Sequence, residues 1–417
     1  MGRWGDAATG HGPVRFAPPG PEPGLPVLPE IAAVLAAAAG RSDTEPPGGG
    51  RPLRDAACGY WARRGLPTDH DSVAAAPGAQ PLLLALAAAI GGDVLLPRPC
   101  PAWWAPQVRL LGRQPYAVPT PAECGGVPDP YALLETVRRV RSEGGDPRLV
   151  VLSVADDPTA TVPPPEVLHE TVEAALGEGL HLVSDETWRD TLHRPRDTVL
   201  VSPADMRPSE VTVITGLSGG QLPADWPAGI ARFPATADGA ALRARTLDVL
   251  TALGAFVAAP VAAAAAHALG EPAAVVERLT AAVGLHARVA DAVHGVVLEA
   301  GALSRPPQAG RHLYVDLGPL GVALAARGVT DAMELEDHLT ERLGMPAPGG
   351  HRFGDELGAL RVRLSTGPFL GVDGEQRLAA LGASAPLELP HVERALATLG
   401  TVLGDLRSDR TRGERPR

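Results

Sequence analysis

The stretch VTVITGLSGGQLPADWPAG (residues 211–229) joins a run of β-branched residues to a glycine-rich turn. The run at residues 211–215 predicts a buried strand, because branched side chains pack well on a pleated sheet. Ser218 follows it, and its neighbours include Gly216, Gly219 and Gly220. Loops directly after buried strands often carry functional side chains in α/β proteins. The sequence therefore predicts that this turn borders a functional site, although glycines occupy much of it.

The basic residues of the chain are all of one type. The 417 residues include 37 basic residues, every one of them an arginine, and there is no lysine. Lysine is normally among the commonest residues of globular proteins. Its absence excludes covalent chemistry on a lysine amine and excludes a lysine as general base.

The overall composition is that of a globular protein, with 45% hydrophobic and 20% charged residues. A formal net charge of −11 argues against binding to nucleic acid backbones. The longest apolar stretches, residues 81–92 and 256–270, are too short or too rich in alanine to span a bilayer. The first thirty residues contain no secretory signal pattern. We therefore predict a cytoplasmic protein without nucleic acid or membrane partners.

Strand and helix patterns alternate through the first half of the chain. Buried strands are predicted at DVLLP (93–97), PRLVVLSV (147–154), LHLVSDE (180–186) and EVTVITG (210–216), with helical patterns between them. Such alternation predicts an α/β fold with a mainly parallel sheet covered by helices. Ligands bind such sheets at the carboxyl ends of the strands. The candidate loops follow Ala76, Val154, Ser184 and Thr215.

The pattern changes after about residue 240. Alanine-rich helical segments lead to strands at residues 312–318 and 359–366 and to helices at 330–344 and 389–405, which predicts an α+β lobe. The first fifty residues are rich in Pro and Gly around one helical stretch, so we predict a partly disordered arm. The charged tail RSDRTRGERPR (407–417) is also predicted to be disordered.

Five segments, in this order and at fitting separations, resemble motifs of the class I/II aminotransferases. These pyridoxal-phosphate (PLP) enzymes have fold type I. The segments are APGAQPLLLAL (76–86), VADDPTAT (154–161), LVSDETW (182–188), GLSGGQLPADWPAG (216–229) and LRVRLST (360–366). The resemblance covers about residues 51–405.

The resemblance implies a domain organisation and a homodimer. The parts are an arm at 1–50, a large α/β domain with a mainly parallel sheet at 51–265, a smaller α+β C-terminal domain at 266–405 and a charged tail at 406–417.

The resemblance also implies roles for individual residues. Gly78, Ala79 and Gln80 match the turn that holds the cofactor phosphate at a helix N-terminus. Asp185 matches the carboxylate that pairs with the cofactor ring nitrogen. Arg363 matches the arginine that binds a substrate carboxylate, which implies a small carboxylate ligand. Simpler interpretations are an ordinary strand-to-helix turn, a helix cap and a solvent-facing arginine.

Other positions depart from the family pattern. Gly219 stands where the family has its cofactor lysine, and glycine has no side chain for that chemistry. Gly216 replaces a phosphate-binding serine, and Pro227 replaces an arginine that clamps the phosphate. Ser218 can donate one hydrogen bond at most to a phosphate.

The two expected donors to the cofactor's ring oxygen are also replaced. Asp157 (or Asp156) stands for an asparagine, and an ionised carboxylate accepts but does not donate. Trp188 replaces a tyrosine and either donates through its indole N–H or fills the vacated space. Trp103 and Trp104 lie near the family's ring-stacking aromatic, and core packing is the alternative role.

These observations leave several functions open. The first hypothesis is a pseudoenzyme that binds a ligand or a partner protein and has no catalytic residues and no metal. The second is a family enzyme that acts on an amino acid or keto acid without a covalent lysine, with PLP or pyridoxamine phosphate (PMP) held non-covalently. A standard aminotransferase would need an external base. A fourth hypothesis is a regulatory domain of the type fused to winged-helix DNA-binding domains. The arm before residue 51 is too short to form such a DNA-binding domain.

Overall fold

The computed structural model describes residues 18–20, 22, 24–41 and 44–413, with side chains as far as residue 407. Its helices are α1 (Pro29–Ala38), α2 (Arg51–Arg63), α3 (Ala79–Ile90), α4 (Trp104–Leu110), α5 (Pro130–Ser142), α6 (Pro165–Gly177), α7 (Pro203–Met206), α8 (Ala237–Ala252), α9 (Ala259–Leu269), α10 (Ala273–Glu299), α11 (Gly321–Ala325), α12 (Ala332–Leu343), α13 (Gly374–Gly382) and α14 (Pro390–Gly413).

Ten strands form two sheets within the described ranges. They are β1 (Val73–Ala76), β2 (Asp93–Arg98), β3 (Pro115–Pro119), β4 (Pro147–Ser153), β5 (His181–Asp185), β6 (Val211–Gly216), β7 (Gly229–Arg232), β8 (Leu303–Ser304), β9 (His312–Asp316) and β10 (Arg361–Ser365).

The seven-stranded sheet has the order β1-β7-β6-β5-β4-β2-β3. Strand β7 runs antiparallel to both of its neighbours, and the pairs among β3, β2, β4, β5 and β6 are parallel. Strands β4, β5 and β6 are almost entirely buried, as expected for parallel strands covered by helices on both faces. The predicted α/β fold with a mainly parallel sheet is confirmed.

Strand β7 does not follow from the sequence pattern. Its four residues, GIAR, contain a single β-branched side chain, which is too little to indicate a strand. The strand forms because Gly229 lets its backbone lie directly against the turn at Gly78. A Cβ on Gly229 would lie 2.5 Å from the carbonyl carbon of Gly78. Glycine is therefore required where β7 meets the start of α3.

The C-terminal part packs around a second core. The antiparallel sheet β10-β9-β8 packs with α10, α12 and α14 over side chains such as Leu313, Val362 and Leu403. Helix α10 contributes Val275 to the first core and residues from Leu285 onward to the second. The change between cores falls within α10, and the division at residues 265 and 266 stays a prediction.

The predictions for the two ends of the chain have different outcomes. Helix α1 lies in the predicted helical stretch of the arm and packs against α9, whereas residues 1–17 of that arm lie outside the described residues. The prediction that the tail is disordered from residue 407 is wrong as far as Gly413, because α14 continues to that residue. Its buried side chains Leu399, Leu403 and Leu406 anchor the helix just before the charged residues.

Helix α10 also bears on the membrane question. It is the one helix of the described ranges that is long and apolar enough to cross a membrane by length and composition. One side of it, including Leu285, Val289 and Val293, is buried in the second core, and a core helix meets the same criteria. The finding is therefore weak evidence for a membrane span.

Two glycine-to-alanine variants test the close approach of β7 to α3. Gly229→Ala forces a methyl group into the Gly78 backbone, so we expect the free energy of unfolding to fall by about 1–3 kcal/mol. Gly284→Ala is the control, because it lies in α10 with open space around its Cβ and should raise stability by about 0.5–1 kcal/mol. Urea denaturation measures both. Equal stability of Gly229→Ala and the wild type would contradict the described contact.

Candidate ligand site at the carboxyl edge of the sheet

A cavity of about 240 Å³ opens where β4, β5 and β6 end and α3 begins. Its lining contains every residue to which the sequence analysis assigns a ligand-binding role: Gly78, Ala79, Gln80, Asp157, Asp185, Trp188, Ser218 and Arg363. Gly219 also lies in this lining. We call this cavity the central pocket. The structure thus brings the predicted residues together, and their roles toward a ligand stay predictions.

The N-terminus of α3 forms one side of the central pocket. Gly78 precedes the helix with a φ of 110°, a conformation that favours glycine. No side chain caps this helix end within the described chain. The first backbone N–H groups of a helix and its dipole favour an anion. This part of the pocket is therefore suited to a negatively charged group.

Asp185 lies at the end of β5 and is almost fully buried. Its Oδ1 accepts hydrogen bonds from the backbone N–H of Thr187 (3.0 Å) and from the Thr187 hydroxyl (2.6 Å). Burial raises the pKa of Asp185 to about 6, aided by the charges of Asp157 and Glu186 and opposed by the Thr187 hydrogen bonds. No described group donates to Oδ2. The carboxyl group can therefore accept a hydrogen bond from a ligand, and its charge changes near pH 6.

The loop after β6 is held by its own hydrogen bonds. The N–H of Gly219 donates to the Leu222 carbonyl (2.7 Å), and Gly219 has a φ of 80°. The Ser218 hydroxyl donates to the Trp226 carbonyl (3.0 Å) and accepts from the Ala228 N–H (3.3 Å). The one hydroxyl hydrogen of Ser218 is thus used within the loop, and Gly219 offers no side chain to the pocket.

Arg363 is paired with carboxylates of the chain itself. Its Nη1 donates to both carboxylate oxygens of Asp157 (2.9 and 3.1 Å), and its Nη2 donates to Glu22 (2.8 Å). The Ser365 hydroxyl donates to the same Glu22 oxygen (2.5 Å). Burial opposes ionisation of Asp157, but the guanidinium of Arg363 outweighs it and keeps the pKa of Asp157 below its usual value. The arginine is therefore not a solvent-facing residue.

The structure separates the two adjacent aspartates. Asp157 lines the central pocket, whereas Asp156 does not and instead accepts hydrogen bonds from the backbone and hydroxyl of Thr159. Burial raises the pKa of Asp156 to about 7. Of the two alternatives for the family's asparagine, Asp157 is the one that reaches the pocket.

Of the three tryptophans that the sequence analysis named, two line the central pocket and the third lies in the hydrophobic core. Trp188 lines the pocket and packs edge-on against His312, with ring centroids 5.4 Å apart. It also contacts the small cluster of Ala155 and Val162, which agrees with an aromatic that fills space. Trp103 lines the pocket, whereas Trp104 is fully buried in the core beside α3.

Several pocket residues have no counterpart in the sequence analysis. They are Ser153, Thr187, Arg311, His312 and Glu22. Thr187 was detectable in principle, because it is two residues after Asp185. The Glu22–Arg363 pair joins residues 341 positions apart, and no local pattern indicates such a contact.

The raised pKa of Asp185 predicts a pH-dependent effect of Asp185→Asn. The folded-state pKa, about 6, exceeds the unfolded value of about 4, so the wild type loses stability as the pH rises through 6. The asparagine of the variant carries no charge at any of these pH values, so the variant does not lose this stability. We expect the variant to gain about 1–3 kcal/mol relative to the wild type between pH 4.5 and pH 7.5. Urea denaturation at both pH values measures this, and a pH-independent difference would contradict the assigned pKa.

The buried arginine predicts a large effect of Arg363→Gln. The Arg363 side chain is 8% exposed, and its loss leaves Asp157 buried without its cation. We expect the free energy of unfolding to fall by about 3–5 kcal/mol. The control is Arg207→Gln, which breaks a similar two-point pair with Glu173 at the surface, where the Arg207 side chain is 44% exposed. That variant should lose far less stability than Arg363→Gln, because an exposed ion pair contributes little. Similar losses of unfolding free energy in both variants would show that burial does not make the Arg363–Asp157 pair more important than a surface pair.

Comparisons with known proteins give the same fold. One similar structure is the aspartate aminotransferase from Thermus thermophilus determined with maleate. The superposition has a TM-score of 0.73 and 21% sequence identity, and it covers 93% of this chain and 90% of the other. For the aromatic aminotransferase from Pyrococcus horikoshii the TM-score is 0.74 and the identity 19%, over 94% of both chains.

Sequence comparison identifies the family. A probable aspartate/prephenate aminotransferase of Thermus aquaticus is 30% identical over 203 residues, which are 48% of this chain and 51% of the relative. The aspartate/prephenate aminotransferase of Thermus thermophilus is 29% identical over 207 residues, 49% and 51% of the two chains. The chain thus spans about half the length of the curated relatives it matches. Residues 26–368 match the family model described as aminotransferase class I and II. Because this match covers most of the chain, the protein belongs to the class I and II aminotransferase family.

Proposed function

We propose that the protein binds a small carboxylate or phosphate ligand non-covalently in the central pocket and does not carry out lysine-dependent transamination. One observation carries this proposal. The loop that enters the pocket after β6 presents Gly219, and the chain has no lysine anywhere that could replace it. In this account the protein is a ligand-binding or partner-binding pseudoenzyme of its family.

The pocket does not fit PLP as a covalently attached cofactor. No side-chain amine is available, and a Cβ on Gly219 would meet no atom within 4 Å, so no neighbouring group of the described chain fills the position. Gly216 and Pro227 provide no side-chain donor for a phosphate, and each lost charge-assisted hydrogen bond corresponds to about 1.5–3 kcal/mol. Asp157 can only accept hydrogen bonds and already binds Arg363. The pocket therefore lacks the groups that lysine-dependent PLP chemistry requires.

The remaining groups support binding of a small polar molecule. Asp185 has a carboxylate oxygen available to a ligand N–H, and Thr187 fixes its orientation. Trp188 forms an apolar wall, and the N-terminus of α3 favours an anionic group. Pockets for small molecules commonly combine apolar walls with a few fixed polar groups.

A carboxylate ligand would meet competition from the chain itself. The curated relatives are named for aspartate and prephenate, so a carboxylate is a reasonable ligand class. In this structure Glu22 places its own carboxylate on Arg363 and Ser365. A ligand that used Arg363 would have to displace Glu22, because both oxygens of Asp157 hold the other side of the guanidinium.

A second candidate is an enzyme of this family that acts on an amino acid or keto acid with non-covalent PMP or PLP. The observation that favours it is the position of Asp185 and the α3 N-terminus in one pocket, since these groups match a ring nitrogen and a phosphate. We further propose, from family membership alone, a homodimer. A cytoplasmic location without nucleic acid or membrane partners also remains a proposal.

Borohydride trapping tests the proposed function. The wild type is incubated with PLP, reduced with borohydride, and mapped by peptide mass spectrometry. We expect no pyridoxyl group on any internal residue, because the chain has no side-chain amine. Gly219→Lys serves as the positive control, since it supplies an amine at the pocket and its Cβ would meet no atom within 4 Å. Its φ of 80° favours glycine, so the fold of this variant is checked by circular dichroism.

Two outcomes distinguish the alternatives. Transfer of an amino group from aspartate to 2-oxoglutarate above an enzyme-free control would overturn the proposal. Saturable thermal stabilisation by PMP together with turnover of an added keto acid would instead support the second candidate.

A further inference from the structure

Arg311 stands at the junction of two cavities. One is the central pocket, and the other is a narrower cavity of about 50 Å³ between the arm segment at residues 24–31 and helix α10. Gly219, Ala224 and Arg311 line both cavities. Arg311 and the loop position at which the family has its lysine therefore line the same two cavities.

The guanidinium of Arg311 has no partner within the described part of the chain. Among those residues, no carboxylate lies within ion-pair distance of it and no acceptor within hydrogen-bond distance. Its Cζ lies 5.9 Å from the centroid of Trp188, which gives a weak cation–π contact at most. Glu22 is near enough to attract it, but the Glu22 carboxylate is hydrogen-bonded to Arg363 and Ser365.

The surroundings do not neutralise this charge. Arg278 lines the narrower cavity and donates to the Pro26 carbonyl, so it is a second cation on that side. Burial lowers the pKa of Arg311, Glu22 opposes this effect and Arg278 adds to it, and together they bring the pKa to about 10. Arg311 thus remains charged at neutral pH.

Arg311 is partly buried in the wall shared by the two cavities, and a cation in such a position without a partner is unusual. Buried charges in proteins are normally paired, because desolvation is unfavourable unless an opposite charge compensates for it. The other arginine of the central pocket, Arg363, follows this rule with two carboxylates. The planar guanidinium of Arg311 suits a carboxylate or phosphate, which it can bind with two parallel hydrogen bonds.

We propose that Arg311 is the anion-binding residue of the central pocket and that its ligand carries a carboxylate or a phosphate group. This inference rests on the proposed function, since it assigns the ligand to the same pocket and requires no covalent bond. An anion on Arg311 would lie at the Gly219 loop, and Arg363 would keep its two internal partners. The α3 N-terminus, on the wall of the same cavity, would add to the attraction for an anion.

Calorimetric titration with two probes tests the inference. Inorganic phosphate and maleate are titrated separately into the wild type, into Arg311→Gln and into Arg138→Gln. Arg138 is the matched control, because it lies exposed on α5 outside the pocket lining and loses the same charge. We expect the wild type to bind at least one probe, Arg138→Gln to bind it equally, and Arg311→Gln to bind it at least tenfold more weakly. The probe that binds distinguishes phosphate from dicarboxylate.

A folding control keeps the result interpretable. Arg311→Gln without ligand should unfold at the wild-type temperature or above it, because it loses an uncompensated charge. If this variant does not fold, Arg311→Lys replaces it, and we expect a several-fold loss of affinity because the ammonium lacks the planar fork. Wild-type affinity in the folded Arg311 variant, or failure of the wild type to bind either probe, would overturn the inference. Covalent labelling of the wild type by PLP would overturn the proposed function and leave the anion site intact.

Discussion

The ion pair between Arg363 and Asp157 is the interaction on which the central pocket depends. It joins β10 of the C-terminal part to the loop after β4 of the large sheet. Glu22 of the arm accepts a hydrogen bond from the same arginine, so the pair also holds the arm. Each charge alone would be unfavourable in this buried setting, whereas the paired groups compensate for one another. The pocket therefore has its walls fixed by charges that the chain itself neutralises.

The same arrangement supports the proposal that this chain does not carry out the lysine-dependent chemistry of its family. A fold positions groups, and the groups determine the reaction. Here Asp157 and Arg363 bind each other, and the Ser218 hydroxyl holds its own loop. Glycine stands at residue 219. The groups that we propose act on a ligand are Asp185, the start of α3 and Arg311. This set can bind and orient a molecule that has an anionic group and an N–H, but it contains no nucleophilic amine.

The sequence predicts much of this site because most of its residues lie next to strands with strong local patterns. Asp185 is the last residue of a buried strand, and Gly78 separates a strand from a helix, so both positions are recognisable. Glu22 and Arg311 are different, because their significance arises from contacts or lack of contacts with distant residues. Strand β7 was missed for a related reason, since its pairing depends on a glycine and not on β-branched side chains. The last helix extends beyond the predicted end because apolar side chains at 399, 403 and 406 anchor it.

A crystal structure determined with both PLP and maleate present is the most direct measurement of the central claim. The account predicts that Arg363 keeps Asp157 as its partner, that an anion binds at Arg311, and that no electron density joins the cofactor to the polypeptide. Density continuous between PLP and the chain, with maleate on Arg363 and Arg311 unoccupied, would contradict it.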